Sequence, residues 1–132
     1  METIKPTRKL ATILAADCVN FSKLMDSNEE LALHNIKVCR GLIDPIIEEH
    51  GGRIFHTAGD SVVAEFSSVV DSVNAAIEFQ KTLTDRNDNV AEESQMEFRI
   101  GIHLGDVIIK DNDMFGSGVN ITYFAPVKTQ SL

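Results

Sequence analysis

The chain has 132 residues, enough for one domain with a buried core and too few for two. Its 43% hydrophobic and 24% charged content is ordinary for a soluble globular protein, and no stretch approaches the roughly 18 consecutive apolar residues of a membrane helix. The formal net charge of -8 argues against broad nucleic-acid binding, because a strongly anionic surface repels phosphate backbones.

The two cysteines, Cys18 and Cys39, have neither zinc-binding spacing nor a disulfide framework. We expect two reduced, buried thiols in a cytoplasmic protein. The N-terminal segment is basic but lacks a cleavage site after an apolar core, so no signal peptide is expected.

The first half of the chain predicts a strand, a loop and a helix. Residues 1–9 are polar, and we expect them to be flexible. Residues 10–16 are apolar and predict a short buried strand that ends at Asp17. A polar loop is expected over residues 20–28.

Helical spacing of apolar residues runs from Glu29 to about Glu49. Pro45 lies within this pattern and predicts either a kinked helix or a break with a restart. His50 and two glycines then predict its end.

The second half predicts a hairpin, a helix and two more strands. Residues 53–56 and 61–66 predict the hairpin, with Asp60 at or near its tip. A helix is expected over residues 69–86, capped by Ser68. Its predicted apolar stripe consists of Val69, Val73, Ala76, Ile77 and Leu83.

After an exposed connection, residues 96–104 and 107–109 predict a strand pair broken near Gly105 and Asp106. The resulting order is β-α-β-β-α-β. It predicts an α+β fold of the ferredoxin-like kind, a sandwich with an antiparallel sheet and helices on one face.

Two aspartates follow strand-like segments. In the β-α-β-β order the first strand and the hairpin are neighbours, so Asp17 and Asp60 are expected to converge at the same end of the sheet. Paired carboxylates of this kind hold divalent metal with nucleotide phosphates. Taken singly, each aspartate is better explained as a turn or cap residue.

Four segments carry a family resemblance: AADCVNFS at 15–22, GRIFHTAGD at 52–60, FRIGIHLGDV at 98–107 and DMFGSGVN at 113–120. In order and spacing they resemble the motifs of class III adenylyl and guanylyl cyclases. The resemblance covers about residues 9–121, and it implies a partial nucleotidyl cyclase domain at 10–121.

The resemblance implies an adenylate cyclase-type enzyme, a lyase that forms cyclic AMP and pyrophosphate from ATP with two Mg²⁺ or Mn²⁺ ions per site. It also implies a dimer, a homodimer or a pair with another cyclase chain, with sites built from both chains. The implied metal ligands are Asp17, Asp60 and the carbonyl of Cys18. The implied phosphate-lining amides are those of Val19, Asn20, Phe21 and Ser22, while Asp113 would contact the purine and Asn120 the ribose.

The sequence departs from the family pattern at two places. His56 stands where the family usually has a purine-reading lysine, and it is either a base contact or a strand residue without a ligand. Phe124 stands where the family has an arginine that stabilises charge on the α-phosphate. We expect residues 122–132 to be a tail unrelated to the family, in a chain that lacks the C-terminal part of the cyclase domain.

Two functional hypotheses follow. In the first, the chain is an adenylate cyclase acting in intracellular signalling. In the second, it is an inactive pseudo-cyclase that binds metal-nucleotide or pairs with an intact cyclase. A bare ferredoxin-like interaction module would explain the four segments less well.

Overall fold

The computed structural model describes residues 7–110 and 113–115. Its elements in chain order are strand β1 (Thr7–Cys18), helices α1 (Phe21–Ser27) and α2 (Glu29–Glu49), strands β2 (Arg53–Ala58) and β3 (Ser61–Phe66), helix α3 (Val69–Asn87), a 3-10 turn (Glu92–Ser94), and strands β4 (Phe98–Lys110) and β5 (Asp113–Phe115). The strands form one sheet in the order β2-β3-β1-β4-β5, and every neighbouring pair is antiparallel. The predicted ferredoxin-like α+β fold is therefore confirmed.

The main core lies between the sheet and helices α2 and α3. On β1, Leu14 and Ala16 belong to this core, whereas Ile13 belongs to a smaller cluster with Val63. The separation follows from the two-residue alternation of a strand, which sends successive side chains to opposite faces. No helix within the described residues is both long enough and apolar enough to cross a membrane.

Helix α2 is continuous through Pro45, so the predicted break with a restart is wrong. A proline ring presses on the carbonyl four residues earlier, which here belongs to Gly41. Nothing outside the helix's own backbone lies within 4 Å of the place where a Cβ on Gly41 would stand. The helix begins at Glu29, after Asn28, whose side chain accepts the Leu31 N–H at 3.1 Å, and it ends at Glu49, before Gly51, whose φ is 83°.

Helix α3 buries only part of the predicted stripe, since Leu83 is buried and Ala76 packs against the main core. Of the predicted stripe, Val69, Val73 and Ile77 are 42%, 40% and 54% exposed. The fully or nearly buried residues are Ser72, Ala75, Phe79, Gln80 and Leu83. The buried face of α3 also includes the polar residues Ser72 and Gln80, and two of its members contact Phe98 of β4.

Those contacts come from Phe79 and Gln80. The Phe79 ring meets the Phe98 ring edge-on, with 5.7 Å between centroids. The Gln80 side chain donates to the Phe98 carbonyl at 2.8 Å, satisfying a buried polar group. The predicted Ser68 cap is confirmed, since its hydroxyl accepts the Asp71 N–H at 3.3 Å.

Strands β1 and β4 are both longer than predicted. Strand β4 continues through Gly105 and Asp106, so the predicted break there is wrong. Its register against β1 runs without interruption from Thr7 opposite Ile109 to Cys18 opposite Phe98. Backbone pairing along this ladder does not depend on side-chain alternation, which is why the polar residues do not interrupt it.

Candidate functional site

The end of β1 and the tip of the β2–β3 hairpin meet at one end of the sheet. Strands β1 and β3 are neighbours, with Ala16 opposite Val62. The Cys18 N–H donates to Oδ2 of Asp60 at 2.8 Å. The carboxylate of Asp60 therefore lies against the backbone of the residue that follows Asp17.

A tight turn sets the position of Asp60. Ala58 pairs with Ser61, so that only Gly59 and Asp60 form the turn. Gly59 has a φ of 57°, and a positive φ at the first central residue is typical of a type II′ hairpin turn. Glycine meets this requirement without steric cost, which places the carboxylate of the next residue at the hairpin tip.

Asp17 is held by Arg99, which lies opposite it on β4. The Arg99 Nε donates to Asp17 Oδ1 at 2.9 Å and Nη2 donates to Oδ2 at 3.0 Å. This is a two-pronged, charge-assisted pair. The sequence placed Arg99 in a cyclase-like segment but gave it no role, because the pairing depends on the β1–β4 register.

Cys18 contributes its backbone to this region, while its thiol is buried. Burial raises the pKa of the Cys18 thiol to about 12, and the nearby carboxylate of Asp60 adds to the rise. The thiol therefore stays protonated at neutral pH and is unsuited to act as a nucleophile.

The segment predicted as a loop over residues 20–28 is mostly helix α1, so that prediction is wrong. The chain reverses at Asn20, which has a left-handed conformation with φ 58° and ψ 29°. Asparagine tolerates this conformation better than most residues. The Val19 N–H donates to the Glu97 carbonyl at 2.8 Å. The Val19 N–H is therefore already hydrogen-bonded within the protein. Phe21 and Ser22 lie in the first turn of α1, where backbone N–H groups have no helical acceptor.

The donors suit a magnesium or manganese site completed by substrate. Both side chains are carboxylates, the oxygen ligands that these hard cations prefer. Among the side chains that the structure describes, no three of His, Cys, Asp or Glu form a group that could hold a metal. Magnesium is commonly held by one or two carboxylates together with substrate phosphates, so a two-carboxylate arrangement fits this ion.

Three of the predicted nucleotide contacts involve parts of the chain that the structure does not describe. The side chains of His56 and Asp113 and the whole of Asn120 lie outside the described part of the chain, as does Phe124. For Asp113 the backbone alone is described, at the start of β5 opposite Lys110.

Residues 4–124 match the family model described as the adenylate and guanylate cyclase catalytic domain. The chain is 38% identical over 116 residues to a Rhizobium meliloti (strain 1021) protein named "Putative adenylate cyclase 3". That match covers 86% of this chain and 20% of the relative, so the chain corresponds to about a fifth of that protein. It is also similar to the adenylate/guanylate cyclase/hydrolase from Silicibacter pomeroyi, at 38% identity and a TM-score of 0.79, over 88% of this chain and 68% of the other. The guanylyl cyclase Cya2 matches 96% of this chain and 68% of its own length, at 25% identity and a TM-score of 0.73.

Proposed function

Since this chain belongs to the family of adenylate and guanylate cyclase catalytic domains, we propose that it cyclises ATP to 3′,5′-cyclic AMP in intracellular signalling. In this reaction the ribose 3′-oxygen attacks the α-phosphorus. The bond to the bridging oxygen of the β-phosphate breaks, pyrophosphate leaves, and the hydroxyl proton is released. Nucleoside triphosphates are held inside cells, so the proposed substrate implies a cytoplasmic location.

The observation that carries the proposal is the contact between Cys18 and Asp60, next to Asp17. Both carboxylates lie at the same end of the sheet, and with the Cys18 carbonyl they would hold two Mg²⁺ or Mn²⁺ ions. When bound, such ions lower the pKa of the attacking hydroxyl and neutralise charge on the phosphates. Asp60 is oriented by a backbone amide, and Asp17 by Arg99.

The remaining contacts are proposals from the family resemblance. The amides of Asn20, Phe21 and Ser22 would line the phosphates. Asp113 of a second chain would meet the purine, and Asn120 would position the ribose. His56 would contact the base in place of the usual lysine, so ATP over GTP is proposed mainly on Asp113.

A second candidate function is that of an inactive partner. Position 124 is phenylalanine, whose side chain has no hydrogen-bond donor for the α-phosphate. Removing one such donor commonly reduces the rate about 10²- to 10³-fold. The chain would then bind metal-nucleotide, or pair with an intact cyclase, without appreciable turnover.

The test is cyclic AMP formation by the purified protein with ATP and Mn²⁺, with GTP assayed in parallel. Asp17→Asn and Asp60→Asn should abolish product, whereas Asp44→Asn, which removes a charge paired with Arg40 on α2, should not. No product from the wild type would reject intrinsic activity. Recovery in Phe124→Arg would then attribute the loss to position 124.

Mixing two inactive variants tests the shared site. If metal ligands and the purine contact come from different chains, Asp17→Asn mixed with Asp113→Ala should regain part of the activity, because some dimers then contain one intact site. Failure to regain activity, with dimers present in sedimentation, would place both functions on one chain.

A further inference from the structure

The two carboxylates of the proposed metal pair are held differently. Asp60 accepts a neutral backbone N–H from Cys18 through Oδ2. Asp17 has both oxygens engaged by the guanidinium of Arg99, at 2.9 and 3.0 Å. A neutral amide orients a carboxylate without cancelling its charge, whereas a guanidinium cancels it.

The Asp17–Arg99 ion pair is partly buried and its geometry is fixed by the sheet. The Asp17 side chain is only 17% exposed, and that of Arg99 is 44% exposed. The two residues are directly opposite in an antiparallel ladder, so the backbone fixes their separation. Partial burial weakens the screening of their attraction by water and salt.

A divalent cation and the guanidinium compete for Asp17. Both are cations that require the same two oxygens, and like charges at such short range repel strongly. A metal ion that binds Asp17 must therefore first displace Arg99 or share the carboxylate with it. The contact described for Asp60 is with the neutral Cys18 amide, which imposes no comparable electrostatic cost on a bound cation.

We infer that Arg99 gates the metal pair by holding Asp17 in the metal-free protein. The inference rests on the proposed function, and it makes Arg99 a positioning residue whose release completes the metal site. Free metal then binds weakly when nucleotide is absent. Removing the guanidinium makes that binding tighter.

Electron paramagnetic resonance titration of Mn²⁺ without nucleotide tests the gate. Arg99→Gln keeps a polar side chain but removes the charge, and it should bind Mn²⁺ about tenfold more tightly than wild type, which corresponds to about 1.4 kcal/mol. Arg53→Gln is the matched control, because Arg53 pairs with Glu65 on the same sheet. Its Mn²⁺ affinity should equal that of wild type.

The increase in Mn²⁺ affinity must depend on Asp17. It should therefore be absent in the double variant Arg99→Gln with Asp17→Asn. Arg99→Lys keeps the positive charge but not the planar guanidinium, so it should increase the Mn²⁺ affinity by less. It replaces Arg99→Gln as the test of the gate if that variant fails to fold. Equal Mn²⁺ affinity of wild type and the Arg99 variants would overturn the gate.

A separate arm distinguishes failure of the gate from failure of the metal pair. Wild type and Asp60→Asn are titrated with Mn²⁺ in the presence of a non-hydrolysable ATP analogue. If wild type binds Mn²⁺ more tightly than Asp60→Asn, the proposed metal pair stands, whatever the Arg99 variants show. Equal binding would overturn the metal pair and the gate together.

Discussion

The backbone N–H of Cys18 donates to Oδ2 of Asp60 at 2.8 Å, which ties the hairpin tip to the end of the central strand. A carboxylate that accepts such a bond is fixed in direction as well as in place. This contact makes Asp60 part of the local structure as well as a candidate metal ligand, and the two roles can be separated by substitution.

Asp60→Ala should destabilise the protein by about 1–3 kcal/mol, because the Cys18 amide loses its acceptor in a partly buried place. Asp60→Asn retains an acceptor oxygen and should stay within about 0.5 kcal/mol of wild type, although it removes the charge needed for metal. Urea denaturation followed by circular dichroism measures both. Asp26→Ala, on the exposed side of α1, should have no comparable effect; equal losses in both alanine variants would contradict the role given to this contact.

Two glycines should respond to alanine in opposite directions. A Cβ at Gly52 would stand 2.6 Å from Ile47 Cγ2 and 2.6 Å from Phe66 Cζ, so Gly52→Ala should cost about 1–3 kcal/mol through overpacking. Nothing lies within 4 Å of a Cβ at Gly41 in α2. Gly41→Ala should therefore stabilise the helix by about 0.5–1 kcal/mol. Thermal unfolding of the two variants compares the signs, and a loss at both positions would contradict the expected pattern.

The orientation of α3 is tested by Phe79 and Ile77. Phe79 is completely buried, and Phe79→Ala should cost about 3–5 kcal/mol. Ile77 is 54% exposed, and Ile77→Ala should change the free energy of unfolding by no more than about 0.5 kcal/mol. Chemical denaturation of both variants decides between the two faces, since the predicted stripe requires a large loss at Ile77.

The thiols should be unreactive in the folded protein. Burial raises the pKa of both Cys18 and Cys39, for Cys18 from 9.0 to about 12, so neither forms appreciable thiolate at pH 8. Ellman's reagent should label both rapidly in denaturant and slowly without it. Fast labelling of the native protein would show that the thiols are accessible.

The same shift has a consequence for alkaline stability. A raised folded-state pKa gives a contribution that is complete below the unfolded value and is lost as pH rises through the folded value. For Cys18 the loss should therefore develop between about pH 9 and pH 12. Cys18→Ala should show a shallower decline over that range than wild type.

The sequence by itself determined the element order and the positions of the two aspartates. Apolar runs and the Gly59–Asp60 turn are local signals, so the hairpin and the end of β1 could be predicted without tertiary contacts. Helical spacing identified α2, and Ser68 identified the start of α3. From this order the neighbouring placement of β1 and β3 followed.

Only the tertiary structure decided which face of α3 is buried, how far β4 extends, and what holds Asp17. On helix α3 the buried face is the one whose Phe79 and Gln80 contact Phe98. The length of β4 comes from backbone pairing with β1. The Arg99 pair depends on the same register between residues far apart in the chain. Local patterns record what each segment prefers, whereas these features arise from the particular partner that each segment meets.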